Sequence, residues 1–268
     1  SAIMFDAEGH LKLGDYGTAE LLDTLPDRFG RSMTCTQPFA APELFLNGRY
    51  NMSYDLFSLG VTLYIMCSGF HPFVDIKSQI YDKPKKLPGN VNKSLQTMIT
   101  SMLEKDPTKR KTAREYLSFM EAAFPSQIVK IRWMFDDAFL VREDDGQFDF
   151  FQEEEALVEK SCGKVTLWEG AGLDQKIALQ RVKRSDHSSE KFRLDRNALI
   201  GFSHPNVAKL LGFFEDSEYL YSVSEYPDGD TLEEIIENRT LTTTETVSIV
   251  QGVLSGLSSL HKQGIVHR

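Results

Sequence analysis

An α+β fold in two parts, one strand-rich and one larger and helical, is what this sequence predicts. Three observations carry the prediction. Residues 156–182 show strand-type patterning in Ala156-Leu-Val, Lys164-Val-Thr-Leu-Trp168 and Lys176-Ile-Ala-Leu-Gln-Arg-Val182. Residues 53–69, 93–104, 112–122 and 245–263 place apolar residues at helical spacing. A length of 268 residues is enough for one large domain or for two modest lobes sharing a cleft.

Taken in order, Ile3-Met4-Phe5 and His10-Leu11-Lys12-Leu13 flank the turn Asp6-Ala7-Glu8-Gly9, which is a hairpin pattern. Residues 17–42 mix Gly, Pro, Asp and Thr without a period and read as a long loop, a kind of segment that is usually functional or mobile. Leu56 to Met66 is the longest apolar run; it is too short to cross a bilayer and fits a buried helix. Leu103-Glu-Lys-Asp-Pro-Thr-Lys-Arg110 separates the next two helices. Residues 124–148 divide less cleanly. Ile128 to Phe135 is apolar and aromatic, Asp144-Asp-Gly146 is a turn, and a new lobe starts between Pro125 and Gln147. Beyond the strands, residues 189–201 predict a helix. Lys209–Phe214 and Leu220–Glu225 predict two short strands, and residues 231–238 and 245–263 predict helices, the second ending near Gly264.

Composition excludes several classes. A net charge of -9 and a pI near 5.2 argue against a nucleic-acid or anionic-membrane surface, which needs excess Lys and Arg. The short basic stretch Lys83, Lys85, Lys86 reads as a solvated loop. Three cysteines, Cys35, Cys67 and Cys162, have no metal-ligand spacing and form no disulfide framework. The histidines likewise form no metal constellation by spacing. Ser1-Ala2-Ile3-Met4 lacks the pattern of a signal peptide. An intracellular protein, cytoplasmic or nuclear, without direct membrane insertion is the expectation.

Motifs then accumulate. Asp15-Tyr-Gly17 resembles the Asp-Phe-Gly motif of the protein-kinase family, and Ala41-Pro-Glu43 the end of its activation segment. Asp55 in Tyr54-Asp-Leu-Phe-Ser-Leu-Gly60 resembles the buried aspartate of the central C-lobe helix. Arg110 resembles the late arginine that pairs with Glu43. Gly163-Lys-Val165 is similar to the end of the glycine-rich loop, Ile177-Ala-Leu-Gln180 to the strand that normally ends in lysine, and His204-Pro-Asn206 to the turn after the regulatory helix. Ser224-Glu-Tyr226 is similar to the gatekeeper and hinge, and Gly264-Ile-Val-His-Arg268 to the strand entering the catalytic loop. The resemblance implies a bilobal kinase-like fold with the lobes in reversed order. It assigns residues 1–123 to the C-lobe, 124–147 to a linker or C-lobe extension, 148–226 to the N-lobe and hinge, and 227–268 to the start of the C-lobe. His267-Arg268 and Ser1-Ala2-Ile3 fit as two sides of one break in the catalytic loop, with the usual Asp-Leu-Lys-Pro between them. A circular permutant, an excerpt of two tandem kinase-like domains and a reordered listing all remain open.

The resemblance also marks sites. The three glycine slots fall at Val158, Lys160 and Gly163, so only one is glycine, and bulky residues obstruct close approach of backbone to phosphate. Gln180 stands in the lysine slot and Asp195 in that of its glutamate partner. Asp15 would hold magnesium, but the companion asparagine slot, thirteen residues earlier, is Ala2. Lys160 is the candidate to replace the missing charge; the plainer reading is a solvated lysine at a strand end. Val165, Ala178, Ser224, Glu225, Tyr226 and Pro227 would line an adenine slot, with ATP as ligand, with or without Mg2+. The catalytic aspartate is not in this chain. Thr36, with Ser32, Thr34 and Tyr50, is a candidate phosphosite. Glu43, Asp55 and Arg110 would hold the C-lobe scaffold. The expected function is a pseudokinase that regulates, scaffolds or recruits substrate through protein partners, including an active kinase or its substrate. The alternatives are an atypical active Ser/Thr kinase and a nucleotide sensor.

Overall fold

The computed structural model describes residues 2–7, 9–16, 19–22, 37–47, 51–124, 155–160, 163–168, 177–184, 189–215, 219–227 and 229–268. In chain order the elements are β1 (Ile3–Phe5), β2 (Leu11–Leu13), β3 (Glu20–Leu21), α1 (Pro42–Asn47), α2 (Ser53–Ser68), α3 (Ile76–Tyr81), α4 (Lys93–Met102), α5 (Ala113–Ala123), β4 (Glu155–Lys160), β5 (Gly163–Trp168), β6 (Ile177–Lys183), α6 (Ser189–Leu199), β7 (Leu210–Glu215), β8 (Tyr219–Glu225), α7 (Leu232–Asn238), α8 (Thr243–Lys262) and β9 (Ile265–Val266). They form two compact units, Ser1–Gly17 with Lys130–Leu232, and Thr18–Val129 with Glu233–Arg268.

The first unit is built on an antiparallel sheet of order β4-β5-β6-β8-β7. Irregularities interrupt its register at Ala156/Val158 and at Leu210/Gly212. The helix α6 packs on β7 and β8, where Phe192 joins Val182, Leu220 and Phe213 in an apolar cluster. The β1–β2 hairpin turns through Gly9, whose φ of 80° suits glycine. Parallel bridging of Leu13 to Val207 and antiparallel bridging of Met4 to Thr231 fix the hairpin within the unit. Gly229 is needed where it stands, because a Cβ there would lie 2.5 Å from the Phe5 carbonyl oxygen.

The second unit is helical. Tyr54, Asp55, Leu56, Phe57, Leu59, Gly60, Val61, Leu63 and Tyr64 of α2 are all buried, so this helix is enclosed on most sides rather than amphipathic. It packs against α4 and α8, and α8 packs against α5. Both α5 and α8 begin with capping boxes, Thr112 with Glu115 and Thr242 with Glu245, which satisfy first-turn N–H groups. Gly69 ends α2 at φ 74°, its N–H donating to Ile65 O.

The expected hairpin, the central strands and the five longer helices coincide with β1–β2, β4–β8, α2, α4, α5, α6 and α8 to within a few residues. The helix expected at 231–238 is α7, whereas the short elements β3, α1 and α3 carry no sequence signal of comparable strength. The long loop expected at 17–42 contains β3 and a 3-10 turn at Gln37–Phe39. The rest of that loop between 23 and 36, and the Ile128–Phe135 segment, lie outside the described residues. The β3 strand pairs antiparallel with β9, Glu20 opposite Val266 and Leu21 opposite Ile265. Its partner comes from the other end of the sequence, so local patterning does not reveal it. The second unit therefore draws on both ends of the chain, consistent with a permuted element order. Among the described residues no helix is long and apolar enough to cross a membrane.

Candidate functional site

Most of the expected nucleotide-handling positions fall in the first unit. Strand β6 sets Ala178 opposite Ser224 on β8 and Gln180 opposite Val165 on β5. One strand further, Val158 pairs with Val165 and Lys160 with Gly163. Gln180 is buried, at 7% exposure, and its Nε2 donates to Asp15 Oδ1 at 3.4 Å, a long and weak hydrogen bond. Asp15 follows β2 with φ 63°, a left-handed conformation that aspartate tolerates better than most residues but that still costs energy. The next residue holds this backbone in place. The Tyr16 hydroxyl lies 2.9 Å from Leu13 O and also reaches Ala208 O, its one proton serving either carbonyl. Burial foremost, and Glu225 with it, pushes the Tyr16 pKa up, so the phenol stays neutral.

Helix α6 buries Phe192, Asp195, Arg196 and Leu199, which the helical period places on one face. Asp195 is thus buried. Arg196 beside it is more so, at 3% exposure, with its guanidinium carbon 5.0 Å from the Phe192 ring centroid. Burial lowers the Arg196 pKa to about 10, opposed by Asp195, Asp15 and Tyr16, so the side chain remains a cation at neutral pH. Sequence reading passed over Arg196. The signal was available, since a basic residue stood four positions after Phe192 on the apolar stripe of a predicted helix.

The segment 224–227 closes β8. The Glu225 N–H donates to Lys209 O at 2.9 Å, and the Glu225 carboxylate pairs with Lys12 at 3.2 Å. Pro227 is buried and has no N–H, so this segment is richer in acceptors than in donors. Ala2 precedes β1, and its carbonyl accepts the Gly14 N–H at 2.9 Å. Its methyl side chain carries no ligand atom. Magnesium commonly takes one or two protein carboxylates and leaves the rest to phosphate and water. Asp15 fits one such place and Ala2 cannot fill a second. No group of three or more His, Cys, Asp or Glu among the described residues is arranged around a common metal position.

The scaffold residues gather in the second unit. Arg110 Nη1 and Nη2 bind Glu43 Oε1 and Oε2 at 2.7 and 2.8 Å, and its Nε donates to Glu104 O at 2.8 Å. Both residues are buried, so this two-pronged pair also satisfies the donors it hides. Asp55, 5% exposed, accepts the backbone N–H groups of His267 and Arg268 at 2.9 and 2.7 Å. His261 Nε2 lies 2.8 Å from Asp55 Oδ2; a carboxylate only accepts, so Nε2 carries the proton. Burial alone would raise the Asp55 pKa. The hydrogen bond and charge of His261, with the field and backbone N–H of His267, outweigh burial and hold it below the usual carboxylate value. Arg268 Nη1 bonds Glu20 Oε1. Thr36 lies outside the described residues.

A strand-rich unit and a helical unit, the latter braced by Glu43–Arg110 and by Asp55, define a bilobal α+β protein-kinase-like fold whose element order departs from the usual sequence, consistent with permutation. The chain belongs to the protein kinase domain family, whose model matches residues 1–120 and 151–268. Similar curated proteins include the serine/threonine-protein kinase RUNKEL of Arabidopsis thaliana, 36% identical over 117 residues, or 41% of this chain and 9% of that protein. Rhodopsin kinase GRK1 of Homo sapiens is 35% identical over 122 residues, or 40% of this chain and 21% of that protein. Serine/threonine-protein kinase SIK1 of Mus musculus is 25% identical over 192 residues, or 69% of this chain and 23% of that protein. The chain spans less than a third of the length of these relatives.

Proposed function

We propose that this chain is a regulatory, scaffolding or recruiting module of the protein-kinase family that works through protein contacts and transfers phosphate weakly or not at all. The supporting observation is Gln180. Phosphoryl transfer rests on positioning and on neutralising charge around the phosphates, and a neutral amide stands where the resemblance puts a lysine. Asp195 for glutamate, Ala2 for asparagine, and Val158 and Lys160 for glycines weaken the same site. Apolar side chains at Phe70, Val74 and Tyr81 are exposed at 74%, 78% and 66%, a surface of the kind that protein partners cover.

A second reading is an active Ser/Thr kinase that passes the γ-phosphate of ATP to protein hydroxyls. The comparisons favour it, because the relatives reported above are named as serine/threonine-protein kinases or as a rhodopsin kinase, and none is named as a scaffold. Asp15 favours it as well. The nucleotide-sensor reading overlaps the first, since the adenine slot can hold ATP without transfer.

Calorimetric titration with ATP, with and without Mg2+, followed by a transfer assay on a mixed Ser/Thr protein substrate, separates the readings. The first reading expects no transfer, with ATP binding that is absent or not strengthened by Mg2+; absent binding removes the sensor reading. Binding strengthened by Mg2+, with transfer abolished in Asp15→Ala, would replace it with the second.

A further inference from the structure

Two buried arginines of this chain differ in a way that points to a ligand. Arg110 spends Nε, Nη1 and Nη2 on Glu104 O and Glu43. Arg196 is buried as well, yet its Nε and Nη1 have no hydrogen-bond partner among the described residues. Buried donors are almost always bonded, and an exception in a native fold asks for an ion, a water or a ligand. The carboxylates whose charge acts on Arg196 are Asp195 and Asp15, and Asp15 in turn accepts from Gln180. Arg196 therefore stands in the neighbourhood of the side chain that takes the lysine position.

Among the described residues of the first unit, three other cations are differently placed. Lys12 pairs with Glu225, Arg181 lies over the Tyr219 ring at 5.0 Å, and Lys183 is exposed at the end of β6. We propose that Arg196 supplies the positive charge that Gln180 lacks, so that the strand-rich unit binds the phosphate groups of a nucleotide through a buried arginine on α6. The inference rests on reading 224–227 as an adenine slot. In this arrangement the cation facing the phosphates is delivered by the helix that normally contributes an anion, and the neutral Gln180 leaves room for it without like-charge repulsion. A guanidinium also suits phosphate oxygens better than an ammonium, because its planar donors match their geometry.

The test compares adenosine with ATP on the full chain, without divalent cation, in the wild type and in Arg196→Gln. The wild type is expected to bind ATP at least about tenfold tighter than adenosine, and Arg196→Gln to lose that advantage while keeping its adenosine affinity; tenfold corresponds to about 1.4 kcal/mol. ATP binding no tighter than adenosine in the wild type overturns the role of Arg196 and leaves the adenine slot standing. An ATP advantage retained in Arg196→Gln does the same. Failure of both ligands to bind overturns the slot and the proposal together. Should Arg196→Gln not fold, the Nε–H resonance of Arg196 in the wild-type protein decides. A shift on adding ATP but not adenosine supports the proposal, and no shift with ATP overturns it.

Discussion

At the scale of single residues, buried charge behaves in two ways here. Asp55 is surrounded by donors, from His261, His267 and Arg268, and its folded-state pKa is depressed below the ordinary 3.8 even though burial acts in the opposite direction. For a depressed acid the sign is fixed. The stability it contributes is fully present above about pH 3.8 and is lost as pH falls through the lower folded value. The thermal midpoint should therefore drop on acidification below about pH 4. Asp55→Asn turns an acceptor-only group into one that also presents N–H to the His267 and Arg268 amides. It should cost about 1–3 kcal/mol at neutral pH, the penalty for leaving buried donors unmet, and flatten the acid limb. Melting curves of both proteins between pH 2.5 and 7 check this, and an unchanged acid limb in the variant would remove Asp55 from the account. Gln180 and Asp15 meet through a long hydrogen bond of 3.4 Å, against 2.7–2.9 Å for the bonds that reach Asp55.

At the scale of elements, α2 shows why a helix without a polar face can be read as buried. Its neighbours leave so little room that a Cβ on Gly60 would lie 2.8 Å from Met102 Cβ on α4. Gly60→Ala gains up to about 1 kcal/mol of helix propensity and incurs overpacking of about 1–3 kcal/mol. Overpacking wins, because Met102 Cβ is fixed to its own helix backbone and cannot swing away. A lower urea midpoint with an unchanged denaturant slope is expected; a raised midpoint would mean that α2 and α4 separate more easily than their contact implies. The helix α6 teaches the opposite lesson. Its existence is legible from periodicity, but which of Asp195 and Arg196 turns inward is not, since adjacent residues on a wide apolar face are both buried. The β3 strand was illegible altogether, for a two-residue strand has no period to read.

At the scale of the whole molecule, the element order departs from the family order, and pairings join segments far apart in the chain. Strand β3 pairs with β9, and Asp55 receives the amides of His267 and Arg268, although these residues stand at opposite ends of the sequence. Such contacts depend on position in space and tolerate a cut or a join in a surface loop. A chain in which residues 148–268 precede residues 1–123, joined through Asp-Leu-Lys-Pro, should give the same far-ultraviolet circular dichroism and unfold cooperatively at a similar or higher temperature. Loss of cooperative unfolding in the rejoined chain would show that the order itself carries stability.

The sequence by itself determined the class of fold, because period-two and helical patterning are local and survive any reordering of segments. Through the family resemblance it also put forward Gln180, Asp195 and Ala2 as unexpected residues, since such slots are matters of identity at a motif position. The tertiary structure decided what those identities meet. Gln180 reaches Asp15 and Asp55 is enclosed by N–H donors, while Arg196 lies buried with two donors unmatched among the described residues. Each of these depends on which side chains a packed interior brings within hydrogen-bond range, and separation along the chain carries no information about that.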